Sequence, residues 1–307
     1  RPTATTHRWH EAFHGRGAEV EAALRGVEVL EADDQREEAA AIALMMRRTL
    51  ERRDETCALI TPDRALARRV KAELGRWGVA VDDSAGEPLL RMPAGAFMGL
   101  VARAAADRFA ATSLMPLLDH PFCRVGFVRE TLLRGARALE LALYRSRAPA
   151  PPPERLAETL AAARDAKDDR FTHPAVWRLK DVDWEAAERL CGGLLGAFAP
   201  LLALQERARV PLADLLAAHV AAAEALAESD GPSPLWRGEE GRVLSSLMAS
   251  LLSEAPQFAP LSSAEYPALV ESFLGLGAGR PRRGAPPRLA ILGLLEARMA
   301  DADLTIL

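Results

Sequence analysis

Apolar and polar positions change their rhythm three times along the chain. Val27-Glu28-Val29-Leu30-Glu31-Ala32 alternates at period two and predicts a strand. Asp33 or Asp34 stands where a helix N-cap belongs, with Glu37 and Glu38 near the positive end of the helix that would follow. Ala39, Ile42, Ala43, Met46 and Leu50 then recur at helical spacing. Thr56-Cys57-Ala58-Leu59-Ile60 is a short apolar run of the kind a fully buried strand carries. Thr61-Pro62-Asp63 reads as a helix start, with Thr61 as N-cap and Pro62 at the first position. Leu66, Val70 and Leu74 supply the stripe of that helix, Gly75 and Gly78 its end, and Val79-Ala80-Val81 a further short strand. Residues 27–86 thus read β-α-β-α-β, a pattern that favours parallel strands joined by right-handed crossovers.

From about Met92 the rhythm becomes helical throughout. Ala- and Leu-rich periods occupy 94–110, 126–145, 154–166, 183–209, 211–228, 239–253 and 263–274. Ala148–Pro153, Gly231–Pro234 and Gly279–Pro287 punctuate them as Pro/Gly loops. No repeat of fixed period stands out, which argues against a solenoid. The last residues revert: Leu289–Gly293 and Asp303–Leu307 both read as strands. The expected fold class is α/β, with a parallel sheet split between 27–90 and 288–307 and a large all-helical subdomain inserted at 91–287. Residues 1–26 read as a tail or connecting segment. His7, His10 and His14 lie there at helical spacing, open to a metal-binding face or to a plain polar terminus. The start without Met and the strand-like end suggest a piece of a longer protein.

Composition narrows the function classes. The chain has 307 residues, 49% hydrophobic and 27% charged, which excludes wholesale disorder. A net charge of −4 argues against a simple polycation but leaves room for a local basic groove. Cys57, Cys123 and Cys191 are odd in number and widely spaced, neither a disulfide framework nor a CxxC metal pair. Reduced buried thiols and a cytoplasmic location are expected. No stretch of about 18 apolar residues lacks charges, so no membrane span is expected.

Sites with recognisable chemistry are few. The sequence has no GxxxxGK[ST], HExxH or GxSxG motif, and no GxGxxG directly after a strand. Asp82-Asp83-Ser84 follows a predicted strand and is open to two readings, a Mg²⁺-holding carboxylate pair or a turn. His120-Pro121-Phe122-Cys123 pairs a His with a Cys, as a thiol nucleophile or as buried loop structure. Basic residues are 36 Arg against 3 Lys. Arg47, Arg48, Arg52 and Arg53 end one predicted helix, and Arg64, Arg68, Arg69, Lys71 and Arg76 share the next. With Arg280, Arg282, Arg283 and Arg288 they read as a phosphate track or as solvated surface. Trp177, Trp184 and Trp236 read as base-stacking or as core residues.

Several phrases, in order, carry a family resemblance: Glu38–Ala43, Ala58–Val70, Trp77–Val79, Val81–Leu89, Leu117–Phe122 and Leu294–Arg298. Over about residues 27–307 they resemble the AddB subunits of AddAB helicase–nucleases of the alphaproteobacterial type, which act in double-strand break repair by recombination. The resemblance implies that 27–90 plus 288–307 form the second RecA-like motor domain of a superfamily 1 helicase fold, with the helical subdomain inserted into it. It also implies a family protein roughly three times longer.

Two departures from active helicases bear on activity. Where active relatives carry an ATP-contacting Arg after the strand equivalent to 57–60, Thr61-Pro62 stands here, with Arg64 close by. Where they carry a His-x-x-Lys-Gly-Leu-Glu-Phe-like stretch, Gly293–Arg298 stands instead. Pro has no backbone donor and no charge to offer a γ-phosphate. The resemblance therefore implies an inactivated helicase fold, without a catalytic site or metal in this piece, that holds or scans DNA beside an AddA-like motor subunit in a heterodimer. Arg64, Arg68 and Arg298 are the expected DNA contacts, with Arg64 also the one candidate to touch a nucleotide. ATP and Mg²⁺ remain open for the whole complex. The alternatives are a piece of a working ATP-dependent helicase motor, or a scaffold whose helical insert docks the partner subunit.

Overall fold

The computed structural model describes residues 17–84, 86–145, 150–167, 169, 172–229, 233–276, 278–279 and 288–307. His7, His10 and His14, and Arg280, Arg282 and Arg283, lie outside the described residues. The chain is an α/β protein that divides into two compact units. One comprises Arg1–Asp82 with Ala285–Leu307, the other Asp83–Gly284.

The first unit holds a four-stranded sheet and three helices. After α1 (Gly17–Leu24) come α2 (Gln35–Thr49), β1 (Cys57–Ile60), α3 (Arg64–Arg76) and β2 (Asp82–Asp83), then, from the far end of the chain, β5 (Leu289–Leu292) and β6 (Leu304–Ile306). Strand order is β2-β5-β1-β6. β1 runs parallel to both neighbours, with Cys57 opposite Leu289 and Leu304. Strands more than 200 positions apart in sequence thus lie side by side, as the returning apolar runs predicted. Asp303 stitches them, its carboxylate accepting from Thr56 N–H and Thr56 Oγ1, each at 2.8 Å. These donors hold the Asp303 carboxyl below its usual range. Ala39, Ile42 and Met46 of α2 and Val70 and Leu74 of α3 close over Leu59 and Ile291 of the sheet, forming the core.

Three local expectations are corrected. Residues 27–32 form no strand: Val27, Val29 and Leu30 are exposed. Alternation gives a segment strand propensity but no pairing partner, and the flanks of β1 are taken by β5 and β6. No strand forms at 79–81; β2 begins directly after it, at Asp82. The N-cap of α3 is Asp63, not Thr61, with Asp63 Oδ1 accepting from Ala65 N–H at 2.7 Å and Leu66 N–H at 3.2 Å. Pro62 therefore sits in the loop before the helix. Asp34 caps α2 in the same way, as expected. Gly78, at φ +69°, terminates the turn after α3 in a conformation L side chains resist.

The second unit is helical apart from a two-stranded antiparallel ribbon, β3 (Glu87–Pro88) with β4 (Ala278–Gly279). Its helices are α4 (Pro93–Ala106), α5 (Ala111–Asp119), α6 (Arg129–Leu139), α7 (Leu156–Asp165), α8 (Asp181–Gln205), α9 (Leu212–Leu226), α10 (Gly238–Glu254) and α11 (Tyr266–Leu276). The unit begins at Asp83 rather than at 91, because Leu89 is already buried in its core. The sequence pattern missed α5, a short helix with Pro116 inside it. α6 runs on into a π-helical turn at Glu140–Arg145, where Tyr144 Oη donates to Phe109 O at 2.9 Å.

Helix α8 is the one described helix long and apolar enough, by length and composition, to cross a membrane. Here it buries Trp184, Leu190, Leu194 and Phe198 in the helical core, while Glu185, Glu188 and Arg189 are exposed. It crosses α6 closely at Gly135, where an added Cβ would lie 2.7 Å from Ala186 O. Gly135→Ala is therefore expected to destabilise this unit by about 1–3 kcal/mol, read as a lower urea midpoint at unchanged slope.

Candidate nucleic-acid interface

In an open parallel sheet the carboxyl ends of the strands are where ligands collect, because loops there converge without blocking one another. The register Ile60 to Leu292 sets the ends of β1 and β5 level. Thr61 N–H extends the ladder by donating to Leu292 O at 3.0 Å. Two short connections leave this edge, Thr61-Pro62-Asp63 into α3 and Gly293–Ala300 towards β6. Arg64 opens α3 and is half-buried, and Arg68 lies one turn further on the same helix face, exposed. Arg298 is exposed in the 3₁₀ turn Glu296–Met299. All three anticipated Arg residues thus come from elements that begin at one edge of the sheet.

The local charge of the first connection is negative. Asp63 accepts the two N–H groups that open α3, and these hold its carboxyl below the usual range. Thr61 Oγ1 accepts from Asp63 N–H at 3.1 Å. The helix N-terminus, otherwise an anion site, is already filled by the chain's own carboxylate.

The other candidate chemistries resolve differently. Asp82 and Asp83 are consecutive strand residues, so their side chains diverge to opposite faces. Asp83 O accepts from Gly86 N–H at 2.9 Å, which closes a turn. Among the described residues, no group of three or more His, Cys, Asp or Glu is arranged to hold a metal ion. His120 and Cys123 form loop structure rather than a nucleophile pair. Cys123 N–H donates to His120 O at 3.0 Å, and His120 Nδ1 accepts from Phe122 N–H at 3.2 Å. Burial pushes the Cys123 thiol up to about 12, far from a thiolate at neutral pH. Cys57 and Cys191 are buried too, and each is pushed up to about 11.

Trp184 is fully buried, and half-buried Trp236 donates from Nε1 to Glu224 Oε1 at 2.9 Å, so both serve the helical unit. Trp177 is exposed on a short 3₁₀ turn, Val176–Arg178. Arg288, open between a phosphate track and solvated surface, is structural. Its guanidinium donates to Leu50 O at 3.0 Å, at the C-cap of α2, and to Arg52 O at 2.6 Å in the turn that follows.

Sequence reasoning passed over Trp77. It stands at the C-cap of α3, 44% exposed, with the Arg47 guanidinium of α2 5.5 Å from its ring centroid. Its place directly after an Arg-rich predicted helix is a sequence cue to it, but its exposure and the Arg47 contact are not readable there. No protein-family model matches the chain, and no curated protein matches it.

Proposed function

We propose that the chain is part of an AddB-like, ATPase-inactive helicase-fold subunit that holds or scans DNA beside an AddA-like motor subunit during double-strand break repair. The observation that carries this reading is the split sheet: β5 and β6 return from beyond a large helical unit to flank β1 in parallel. That connectivity is what a RecA-like second motor domain with an inserted subdomain requires. The turn after β1 supports loss of ATP chemistry. It offers Pro62, which has no N–H, and the Asp63 carboxylate, whose charge repels a γ-phosphate. Arg64, Arg68 and Arg298, issuing from one sheet edge, fit phosphate contact rather than catalysis. The reading carries with it a cytoplasmic location.

The test is charge reversal at Arg64, Arg68 and Arg298 within the intact complex. Duplex affinity is expected to fall, and the slope of log affinity against log salt to shrink by about 0.9 for each phosphate that is no longer neutralised. Unchanged affinity and slope would remove these residues from the interface. ATP turnover by the complex is expected to survive Arg64→Ala; its loss would favour a working motor instead.

A further inference from the structure

The groove between α2 and α3 has features that neither helix needs for packing. At one end Arg36 and Arg69 line a cleft of about 330 Å³ together with Ala39, Ala72 and Glu73. The cleft lining sets two guanidinium groups against one carboxylate. Glu73 is engaged by Arg76, with Nη1 to Oε2 at 2.9 Å. The nearby Asp34 carboxylate is committed to the N–H groups of Arg36 and Glu37, at 2.7 and 2.8 Å. Arg69 Nη1 donates to Gln35 Oε1 at 2.7 Å, and its charge also helps hold the Asp34 and Asp63 carboxyls down. The Arg36 guanidinium is exposed, and its charge acts on the neighbouring Asp34 carboxylate.

At the other end stands Trp77 with Arg47 against its ring. Arg36 and Arg47 lie eleven residues apart on α2, about 16 Å along the axis, which is room for a few nucleotides. Guanidinium groups at spaced points beside an exposed aromatic plane are what single-stranded nucleic acid recognition uses, charge for the backbone and stacking for a base.

We propose that the α2–α3 groove is a single-strand DNA track, in which Arg36 and Arg69 hold phosphate and Trp77, braced by Arg47, stacks on a base. This rests on the DNA-holding reading above but places a contact away from the sheet edge that carries Arg64 and Arg298. The track is sequence-tolerant, since every base offers a π face. It prefers unpaired strands, since a duplex keeps its bases stacked on one another.

The experiment is fluorescence anisotropy of a labelled oligothymidylate, and of a duplex of equal length, against the full chain over a range of salt. Trp77→Ala is expected to weaken oligothymidylate binding about five- to a hundredfold with the salt slope unchanged, and Trp77→Phe to keep most of the affinity. Arg36→Ala with Arg69→Ala is expected to weaken it and to cut the salt slope by about 1.4, about 0.7 for each single-strand phosphate contact. All three side chains are on the surface, so circular dichroism should report an intact fold. Parent-like binding by these variants, or no binding by the parent chain, overturns the track. So does Trp77→Ala weakening duplex and single strand equally. The DNA-holding reading falls separately, if charge reversal at Arg64, Arg68 and Arg298 leaves the complex's affinity and salt slope unchanged.

Discussion

Acid is expected to loosen the helical unit well before carboxylates titrate, because of His219. This side chain is completely buried on α9. Its Nε2 lies 2.9 Å from Met98 O on α4 and its Nδ1 2.9 Å from Tyr266 Oη on α11. A carbonyl only accepts, so the proton sits on Nε2, and Nδ1 accepts from the tyrosine hydroxyl. One neutral imidazole thus pins three helices. Burial holds its pKa down, from 6.5 to about 4. In the unfolded chain the group takes up a proton near pH 6.5; in the folded unit it stays neutral until about pH 4. The unfolded state therefore binds more protons across that window, and stability falls as pH falls through it. The full loss is about 3 kcal/mol, at about 1.4 kcal/mol for each pH unit. The partly buried His120 is shifted in the same direction, so the comparison must be made by substitution. His219→Gln, which never charges, should flatten this part of the pH–stability curve measured by urea denaturation. His219→Ala should cost roughly 3–4 kcal/mol at neutral pH by leaving Met98 O and Tyr266 Oη without their partner beside a cavity. Identical acid profiles for the parent and His219→Gln would show that this contact does not set acid stability.

Arg288→Ala is expected to destabilise the sheet unit by about 2 kcal/mol. The carbonyl of Leu50, the C-cap of α2, and that of Arg52 in the turn after it are answered by this one guanidinium. Because Arg288 immediately precedes β5, it also ties the returning strand to the helix that precedes β1. Arg288 O accepts from Cys57 N–H at 2.8 Å, so the same residue opens the β1–β5 ladder. Hydrogen exchange is the direct measurement. Amides of α2 and β1 should lose protection in the variant, while those of the helical unit should not. Arg288→Lys should rescue only part of the loss, since a single ammonium reproduces the fork poorly. Arg129 does the same for α5, donating from Nη1 to Leu118 O at 3.1 Å and to His120 O at 3.0 Å. In so Arg-rich a chain, composition alone does not separate these two from the exposed arginines around them.

The candidate interface was legible in part. That Arg64 and Arg68 share a helix face follows from their spacing, and that Arg298 leaves the same sheet edge follows from the return of β5. The roles of Trp77 and Arg288 did not follow. Trp77 closes the predicted α3 pattern, and only the approach of α2 brings Arg47 onto its ring. The 27–32 segment shows the converse, a good strand pattern without a strand.

The sequence by itself determined the helical segments other than α1 and α5, where their apolar stripes lie, that Asp34 caps α2, and that apolar strands return near the C-terminal end. These are local facts, governed by periodicity, by turn residues and by hydrogen bonds spanning a few positions. The tertiary structure alone decided which strands flank β1, which arginines grip helix ends, and that Arg36 and Arg69 line a cleft between α2 and α3 while Arg47 meets exposed Trp77. Those outcomes depend on partners up to 247 positions away, as in the Thr56–Asp303 contact. A long-range hydrogen bond or cation–π pair leaves no periodic trace in the chain that makes it.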